Sequence, residues 1–266
     1  MARESALHQA VIANDLAAVL ELSKNQNAKN TPNSLGFTPL EIAQYLGSKE
    51  AAAILNPSPN QRPLHVVFPN IQSKTKYSIE DFRSLLGIHY LPHLLFKNYA
   101  EFKRVIRNCP LILKSRLNWE NRALELKYHK QLQQGEVAPL EIRWIDDEIG
   151  FGVFAYEDIP AEAYIGEYTG LVRQLNRLHP DHNAYCFQYP TRFWSWNYMI
   201  IDALRAGNEL RFINHSDIPN LKPACLLDRG LLHLVFLANR DLKKGEQLTI
   251  DYGSDYWRKR EKRENL

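Results

Sequence analysis

The chain has 266 residues, of which 45% are hydrophobic and 24% are charged, which is typical of a soluble globular protein with a substantial core. Its formal net charge of +3 is too small to indicate general nucleic-acid binding, and no apolar run approaches the roughly 20 residues of a membrane span. Cys109, Cys186 and Cys225 form neither a CxxC pair nor an even set, which disfavours a zinc cluster or a disulfide framework and favours a reducing compartment.

The first 57 residues contain a repeat. Leu7 and Leu40 differ by 40 − 7 = 33 positions, and Ala10 and Ala43 keep the same offset, which is the period of ankyrin repeats. The segment GFTPL at 36–40 is similar to the start of an ankyrin helix, because its threonine can cap the helix and its proline suits the first position. The predicted helices are 5–14, 16–24, 39–46 and 49–55.

Fewer than two full repeats are present, and a stack that short cannot bury both of its faces alone. We therefore expect these helices to pack on the segment that follows. Two interpretations stay open for this region: it is a module that binds a partner protein, or it is a helical cap that stabilises the rest of the chain.

A linker and a helical bridging region are predicted next. Pro57, Pro59 and Pro63 mark the linker, because a proline cluster cannot continue a helix. Apolar residues then recur at helical spacing, and the three predicted helices are one from Ser78, one around 102–106 and one over 119–134. This region contains no catalytic motif, and its aromatic residues are interpreted as packing.

After Gly135 the sequence changes to short segments rich in β-branched and aromatic residues, bounded by Gly, Pro, Asn or Asp. The predicted strands are 140–144, 153–156, 164–168, 184–189, 199–202 and 232–238. Many short strands predict a compact β-rich fold.

Four segments of this C-terminal half combine into one pattern. They are IGFGVFA at 149–155, IGEYTG at 165–170, RFINHSDIPN at 211–220 and EQLTIDYG at 246–253. Together they resemble the SET-domain protein lysine methyltransferases, and the resemblance covers about 142–257, nearly half of the chain. It implies several small sheets with the C-terminal segment threaded beneath a preceding loop.

We therefore predict an α+β protein with four parts. These are ankyrin-like repeats over 1–57, a linker and helical bridging region over 58–137, a β-rich SET domain over 138–258 and a basic tail over 259–266. The tail is interpreted as a solvated helix end, and a weak contact with phosphates is the alternative.

The resemblance implies a site for S-adenosylmethionine, with the cofactor-binding set Gly150, Phe151, Gly152, Tyr185, Asn214, His215 and Trp257. In the family pattern the glycine turn approaches the methionine end, the asparagine and histidine face the adenine, and the tryptophan covers it. Taken alone, the glycine segment is a tight turn, and the histidine is a hydrogen-bonded residue of an asparagine turn.

The resemblance also implies a channel for the substrate lysine, lined by Tyr168, Ile250, Tyr252 and Tyr256. Tyr252 matches the catalytic tyrosine, and Tyr168 and Tyr185 match positions that line the channel or touch the cofactor. Any one of the 13 tyrosines taken alone is better explained as packing with its hydroxyl paired. An apolar tunnel suits methyl transfer, because the lysine, with an ordinary pKa of about 10.4, must lose its proton before it can attack.

Two positions depart from the family pattern. Asp217 stands where many members have a zinc-binding cysteine, and we expect no metal. Tyr256 and Trp257, with the basic segment after them, are expected to close the channel instead. Ile250 stands where a tyrosine often restricts the addition of further methyl groups, which favours an enzyme that adds more than one.

The sequence therefore predicts a protein lysine methyltransferase, with histone tails as expected substrates by family analogy and a non-histone protein as the alternative. A non-catalytic interaction protein that binds a lysine-bearing peptide is the competing class. The expected location is the cytoplasm or nucleus, and delivery from a bacterium into a host cell is one origin that would join ankyrin-like and SET-like parts.

Overall fold

The computed structural model describes residues 4–57, 62–69, 75–109, 118–175, 183–189, 199–254 and 256–257. The basic tail over 259–266 lies outside these residues. Among the described residues, no helix combines the length and the apolar character needed to span a bilayer.

Eight helices are described, with the bounds α1 Ala6–Ala13, α2 Leu16–Leu22, α3 Gln26–Asn30, α4 Pro39–Tyr45, α5 Lys49–Leu55, α6 Phe82–Leu86, α7 Tyr99–Arg107 and α8 Asn118–Gln134. All seven helices that the sequence predicts are present, with ends that differ by a few residues. Helix α3 was not predicted, because its sequence QNAKN has no apolar periodicity.

The N-terminal helices begin at side-chain caps. The Ser5 hydroxyl accepts a hydrogen bond from the main-chain nitrogen of His8, and the Asp15 carboxylate accepts one from Ala18. Thr38 and Glu41 form a reciprocal capping box with Pro39 at the first helical position. Helix α1 packs on α2 and α4, and α2 packs on α5, so the two helix pairs are stacked.

The strands form three small sheets and two isolated pairs. The first sheet has the order β2 (Thr75–Tyr77), β1 (Leu64–Val67), β5 (Leu140–Asp146), β6 (Gly150–Ala155). The second has the order β4 (Leu95–Phe96), β8 (Leu171–Gln174), β10 (Met199–Asp202), β9 (Cys186–Tyr189). The third has the order β13 (Leu221–Asp228), β14 (Leu231–Ala238), β7 (Tyr164–Glu167). The pairs are β3 (His89–Tyr90) with β11 (Ala206–Gly207), and β12 (Asn214–His215) with β15 (Thr249–Ile250).

Strands from the predicted bridging region join the sheets of the C-terminal half. Strand β1 pairs in parallel with β5, β3 with β11, and β4 with β8. The sequence analysis described this region as linker and helices and missed its strands, because each has only two to four residues. The predicted boundary at residue 137 is therefore crossed by sheet hydrogen bonds.

An aromatic cluster connects the N-terminal helices to the rest of the core. Phe37 and Tyr45 pack against Phe102 with ring centroids 5.1 and 5.4 Å apart, and Phe96 lies 5.2 Å from the same ring. All four rings are buried. The expectation that the short helical stack leans on the following segment is met by this packing.

Arg229, in the turn between β13 and β14, anchors the third sheet to helix α4. Its guanidinium lies 3.9 Å from the centre of the Phe37 ring and donates hydrogen bonds of 2.6 Å to both the Gly36 carbonyl and the Glu41 carboxylate. Burial raises the pKa of Glu41, but the hydrogen bonds from Arg229 and from the Thr38 main chain outweigh burial and hold the pKa below its ordinary value.

Candidate active site

The segment 246–250 lies between strand β6 on one side and strand β12 with Ser216 on the other. On one side the main-chain nitrogen of Leu248 donates to the Val153 carbonyl at 2.8 Å. On the other side β15 pairs in parallel with β12, and the nitrogen of Ser216 donates to the Ile250 carbonyl at 3.0 Å. Segments that are about 95 and 35 residues earlier in the chain are thereby joined through this one strand.

Asn220 holds the same segment from a buried position. Its amide nitrogen donates to the Gln247 carbonyl at 2.8 Å and to the Glu246 carboxylate at 3.0 Å, and its amide oxygen accepts from the Thr249 main chain at 2.8 Å. The sequence analysis quoted Asn220 within the motif but gave it no role. Only its burial and its three contacts reveal that it orders the strand before Tyr252.

The structure brings the glycine turn and Asn214 together. The Asn214 amide donates to the Phe151 carbonyl at 3.2 Å. A Cβ atom at Gly152 would lie 3.1 Å from that amide nitrogen and 2.7 Å from the Ile145 side chain, so a larger residue would force these side chains to move. Gly150 has a φ of +79°, which explains a glycine at the start of the turn.

His215 lies beside the last aromatic residues of the described chain. Its Nδ1 accepts a hydrogen bond from the Tyr252 main-chain nitrogen at 3.3 Å, which assigns the ring proton to Nε2, 3.2 Å from the Asp217 carboxylate. The Trp257 ring meets the His215 ring edge-on at 5.0 Å and is 40% exposed. Asp217, at the position of the missing zinc-binding cysteine, thus lies within hydrogen-bonding distance of His215.

The predicted channel tyrosines lie near one another. The Tyr252 hydroxyl donates to the Ile213 carbonyl at 2.8 Å, and its ring lies 4.5 Å from that of Tyr256. The buried Tyr168 hydroxyl donates to the Tyr185 carbonyl at 3.0 Å. Burial raises the pKa of Tyr168 far above its ordinary value, and the Tyr252 phenol is near enough to add to this shift. Tyr168 is therefore a protonated donor at neutral pH.

Ile250 is 2% exposed, and its main chain forms the pairing with β12. Its side chain adds an apolar, hydroxyl-free surface to the core beneath Tyr252. No polar group is available at this position to hold a water molecule or an amine.

Arg211 is a residue of this region that sequence reasoning passed over. It lies in the 3₁₀ turn Glu209–Phe212, is 8% exposed, and its guanidinium carbon lies 3.9 Å from the centre of the Tyr185 ring. The sequence alone does not indicate that Arg211, at the start of the RFINHS motif, is buried, because arginine is usually exposed.

The arrangement fits an S-adenosylmethionine-type ligand. Gly152 lets the side chains of Ile145, Gln247 and Asn214 pack close to the main chain of the turn, and Asn214 and His215 place an amide and main-chain groups beside that turn. The exposed Trp257 ring is available as an aromatic cover.

One group of potential metal ligands occurs among the described residues, away from this site. Ligand atoms of Glu125, His129 and Asp228 lie within 4.8 Å of one another. Arg229 already donates to Asp228 at 2.8 Å, so a cation there would compete with a guanidinium. The expectation that no metal is required stays a prediction.

Residues 150–253 match the SET domain family. Mouse histone-lysine N-methyltransferase EHMT1 is 31% identical over 134 residues, which are 48% of this chain and 10% of that protein. Zebrafish N-lysine methyltransferase KMT5A-A is 30% identical over 143 residues, 48% of this chain and 41% of that protein. The chain therefore spans less than half of the length of either relative.

A solved structure, the crystal structure of KRYPTONITE in complex with mCHH DNA, H3(1-15) peptide and SAH, is similar with 34% identity and a TM-score of 0.35. The match covers 43% of this chain and 23% of that one. The predicted SET domain, with several small sheets and a helical N-terminal region, is confirmed by the family match and by the described sheets. The SET match begins at residue 150, so the ankyrin-like character of the N-terminal helices stays a prediction.

Proposed function

We propose that this protein is an S-adenosylmethionine-dependent protein lysine methyltransferase that acts on a histone tail. The observation that carries the proposal is the segment 246–252, which joins the glycine turn, Asn214 and Tyr252 at one site inside the SET-domain match. The lysine methyltransferase relatives support the same reaction.

Methyl transfer requires the protein to position the reacting atoms but not to form a covalent bond with them. When bound, S-adenosylmethionine supplies a methyl group on a sulfonium, whose S–C bond breaks as the lysine nitrogen forms the new N–C bond. The protein's own residues orient the amine, exclude water and hold the reacting atoms in line, which removes much of the entropic barrier. A metal ion or a protein nucleophile is not needed for this displacement.

Tyr252 is assigned an orienting role. Its hydroxyl proton is donated to Ile213, so the oxygen faces other neighbours as an acceptor and can receive weak C–H hydrogen bonds from a polarised methyl group. Tyr168 and Tyr185 form one wall of the channel. The Tyr168 hydroxyl is held there by its hydrogen bond to the Tyr185 main-chain carbonyl. Neither role requires a tyrosine to act as a base, and the ammonium proton leaves to solvent before attack.

Tyr256 and Trp257 are proposed to close the channel, supported by their ring contacts with Tyr252 and His215. Truncation after Gly253 is expected to abolish methyl transfer while the sheets remain folded, as measured by circular dichroism and labelled methyl transfer. Full activity in the truncated chain would rule out this closure.

Ile250 is proposed to permit more than one methyl group on the target lysine, supported by its apolar, hydroxyl-free side chain. Mass spectrometry of the product under excess enzyme is expected to show dimethylated or trimethylated lysine. Exclusive monomethylation under these conditions would contradict the role of Ile250.

The N-terminal helices are proposed to be ankyrin-like in origin and to serve here as a structural cap. Support comes from Phe37 and Glu41, which face the rest of the chain and are engaged by Arg229. We also propose part boundaries at 57, 137 and 258. The proposed location is the cytoplasm or nucleus or, for a bacterial protein, a host cell.

The test is incubation with labelled S-adenosylmethionine and mixed histones, comparing the wild type with Tyr252→Phe and Asn214→Ala. We expect label in the wild type, with strong losses in both variants for different reasons. Asn214→Ala should raise the cofactor dissociation constant, whereas Tyr252→Phe should lower the rate at saturating cofactor. Equal label in all three proteins would exclude this site, and peptide binding without any label would favour a non-catalytic interaction protein.

A further inference from the structure

Arg211 is a buried cation behind the wall of the proposed lysine channel. Its Nε donates a 2.8 Å hydrogen bond to the Ala203 carbonyl, which fixes the side chain in place. Its guanidinium carbon lies 3.9 Å from the centre of the Tyr185 ring and 4.6 Å from that of Phe212. The residue is 8% exposed, so water screens this charge weakly.

Among the described residues, no carboxylate lies within ion-pair distance of Arg211. The carboxylate on its own turn, Glu209, is paired with Arg62 at 2.5 Å. Asp202, on strand β10, is paired with Arg173 at 2.6 Å and accepts a hydrogen bond from Asn183. Within the described part of the chain, the charge of Arg211 is therefore not cancelled by a carboxylate in direct contact.

Two tyrosines, Tyr185 and Tyr168, act on the Arg211 guanidinium. Burial raises the pKa of Tyr168 far above its ordinary value, and Cys186, Tyr252 and Asp202 act on Tyr168 in turn. Burial lowers the pKa of the Arg211 guanidinium, and the two tyrosines act in the opposite direction. Arginine nonetheless stays protonated near neutral pH, because its ordinary pKa lies above about 12.

The position of Arg211 on the Tyr185 ring has a chemical consequence. An aromatic wall ordinarily attracts cations, and aromatic cages bind alkylated ammonium groups for this reason. A guanidinium already on one face of the ring polarises its electrons and repels a second cation on the other face. The wall that would otherwise retain a protonated lysine is therefore biased against it.

We propose that Arg211 is a specificity-determining residue of the channel, whose unpaired charge acts across the Tyr185 ring to admit the neutral lysine amine in preference to the ammonium. This inference rests on the proposed function, because it assigns the channel to a lysine. An aromatic cage that binds methylated lysine attracts a cation, whereas this wall repels one.

A binding experiment tests the proposal without turnover. The peptide is the histone peptide most strongly labelled by the wild type, in one form with its target lysine and in one with norleucine, which is apolar and cannot be protonated. Both are titrated near pH 7.5 in the presence of S-adenosylhomocysteine, whose neutral sulfur removes the sulfonium charge from the comparison. The wild type is expected to bind norleucine more tightly, and the ratio of the two dissociation constants should fall about tenfold in Arg211→Met, the effect of a partly screened unit charge at roughly 10 Å.

Arg211→Lys is the matched control, because it keeps the charge and loses the planar stacking. It is expected to keep a ratio near that of the wild type. Single-turnover methyl transfer should show the same division, with the midpoint of the pH–rate profile about one unit higher in Arg211→Met and little changed in Arg211→Lys.

Equal changes in both variants, or no change in Arg211→Met, would overturn the proposal and assign Arg211 a purely structural role. If Arg211→Met does not fold, Arg211→Gln takes its place, because it is uncharged and keeps a hydrogen-bond donor; a ratio equal to that of the wild type in Arg211→Gln would overturn the proposal. Failure of the proposed function gives a different result, since the wild type then labels no histone and no histone peptide.

Discussion

Acidification is expected to destabilise the fold through His93, which lies between β3 and β4 and is 6% exposed. Burial lowers the pKa of His93 to about 4, and the neighbouring His233 contributes in the same direction. The unfolded chain binds a proton at an ordinary pKa of about 6.5, whereas the folded chain resists it. Because the unfolded state holds more protons, stability falls as the pH drops from about 6.5 toward 4.

The loss can be worked from this shift. At pH 5 the unfolded histidine is protonated and the folded one is still neutral, so the cost is about 1.5 × 1.36, or about 2 kcal/mol. It approaches about 3 kcal/mol near pH 4. Carboxylates with lowered pKa values, Glu41 and Glu246 among them, add to the loss mainly below about pH 4.5. In the window between pH 5 and 6.5, His233 acts with the opposite sign: burial lowers its pKa, but the Glu167 carboxylate outweighs burial and holds the pKa above its ordinary value. The contribution of His93 is therefore the difference between the wild type and a His93 variant.

Urea unfolding followed by circular dichroism at half-unit steps from pH 7 to 5 measures this loss. His93→Phe removes the titrating group while keeping a ring beside Tyr45, 6.2 Å away in the wild type, and should reduce the pH dependence by about 2 kcal/mol. His89→Phe, at an exposed position, is the control and should retain the wild-type dependence. Identical pH dependence in the wild type and His93→Phe would refute the reasoning.

Two further substitutions test the site and the anchor. Gly152→Ala places a Cβ 2.7 Å from Ile145 and should weaken S-adenosylhomocysteine binding at least tenfold by calorimetry, whereas Gly150→Ala meets nothing within 4 Å and should cost only about 1 kcal/mol of stability. Equal loss of binding in both would contradict the role of Gly152. Arg229→Met removes the ion-pair partner of the buried Asp228 and of the half-buried Glu41 and should lower the free energy of unfolding by about 2–3 kcal/mol, with earlier proteolysis of the N-terminal helices. Arg240→Met, at an exposed ion pair, should change it by less than about 0.5 kcal/mol, and similar losses in the two variants would argue against the anchor.

Local signals in the sequence were sufficient for every described helix except α3. Helix α4 carries a capping box and a proline at its first position, and these act within one turn of chain. The strand Met199–Asp202 was predicted with its observed bounds, since MIID contains two adjacent β-branched isoleucines and ends at an aspartate.

Strand β13 was missed for a physical reason. Its sequence LKPACLLD contains Pro223, which argues against a strand because proline cannot donate to a ladder. The structure places β13 at the edge of its sheet, where one side of the strand needs no partner. Edge position is a property of the tertiary fold, and no local pattern reveals it.

The residues of the candidate site likewise fall into two groups, those that the sequence could identify and those that it could not. Asn214, His215 and Tyr252 lie in segments that resemble a family, so they could be named from sequence. Asn220 and Arg211 act through burial and through contacts with residues that are 26 to 29 positions away along the chain, as in the bond from Asn220 to Glu246. Such roles depend on packing, which the sequence does not display.

The strand between β6 and β12 also has a consequence for biosynthesis. Segment 246–252 follows both of its neighbours in the chain, so a ribosome delivers it after the glycine turn and Asn214 have already emerged. These pairings span long stretches of sequence, and such non-local closure is among the slower steps of folding. A nascent or C-terminally degraded copy is therefore expected to hold most of its sheets yet lack the strand that places Tyr252 beside β12.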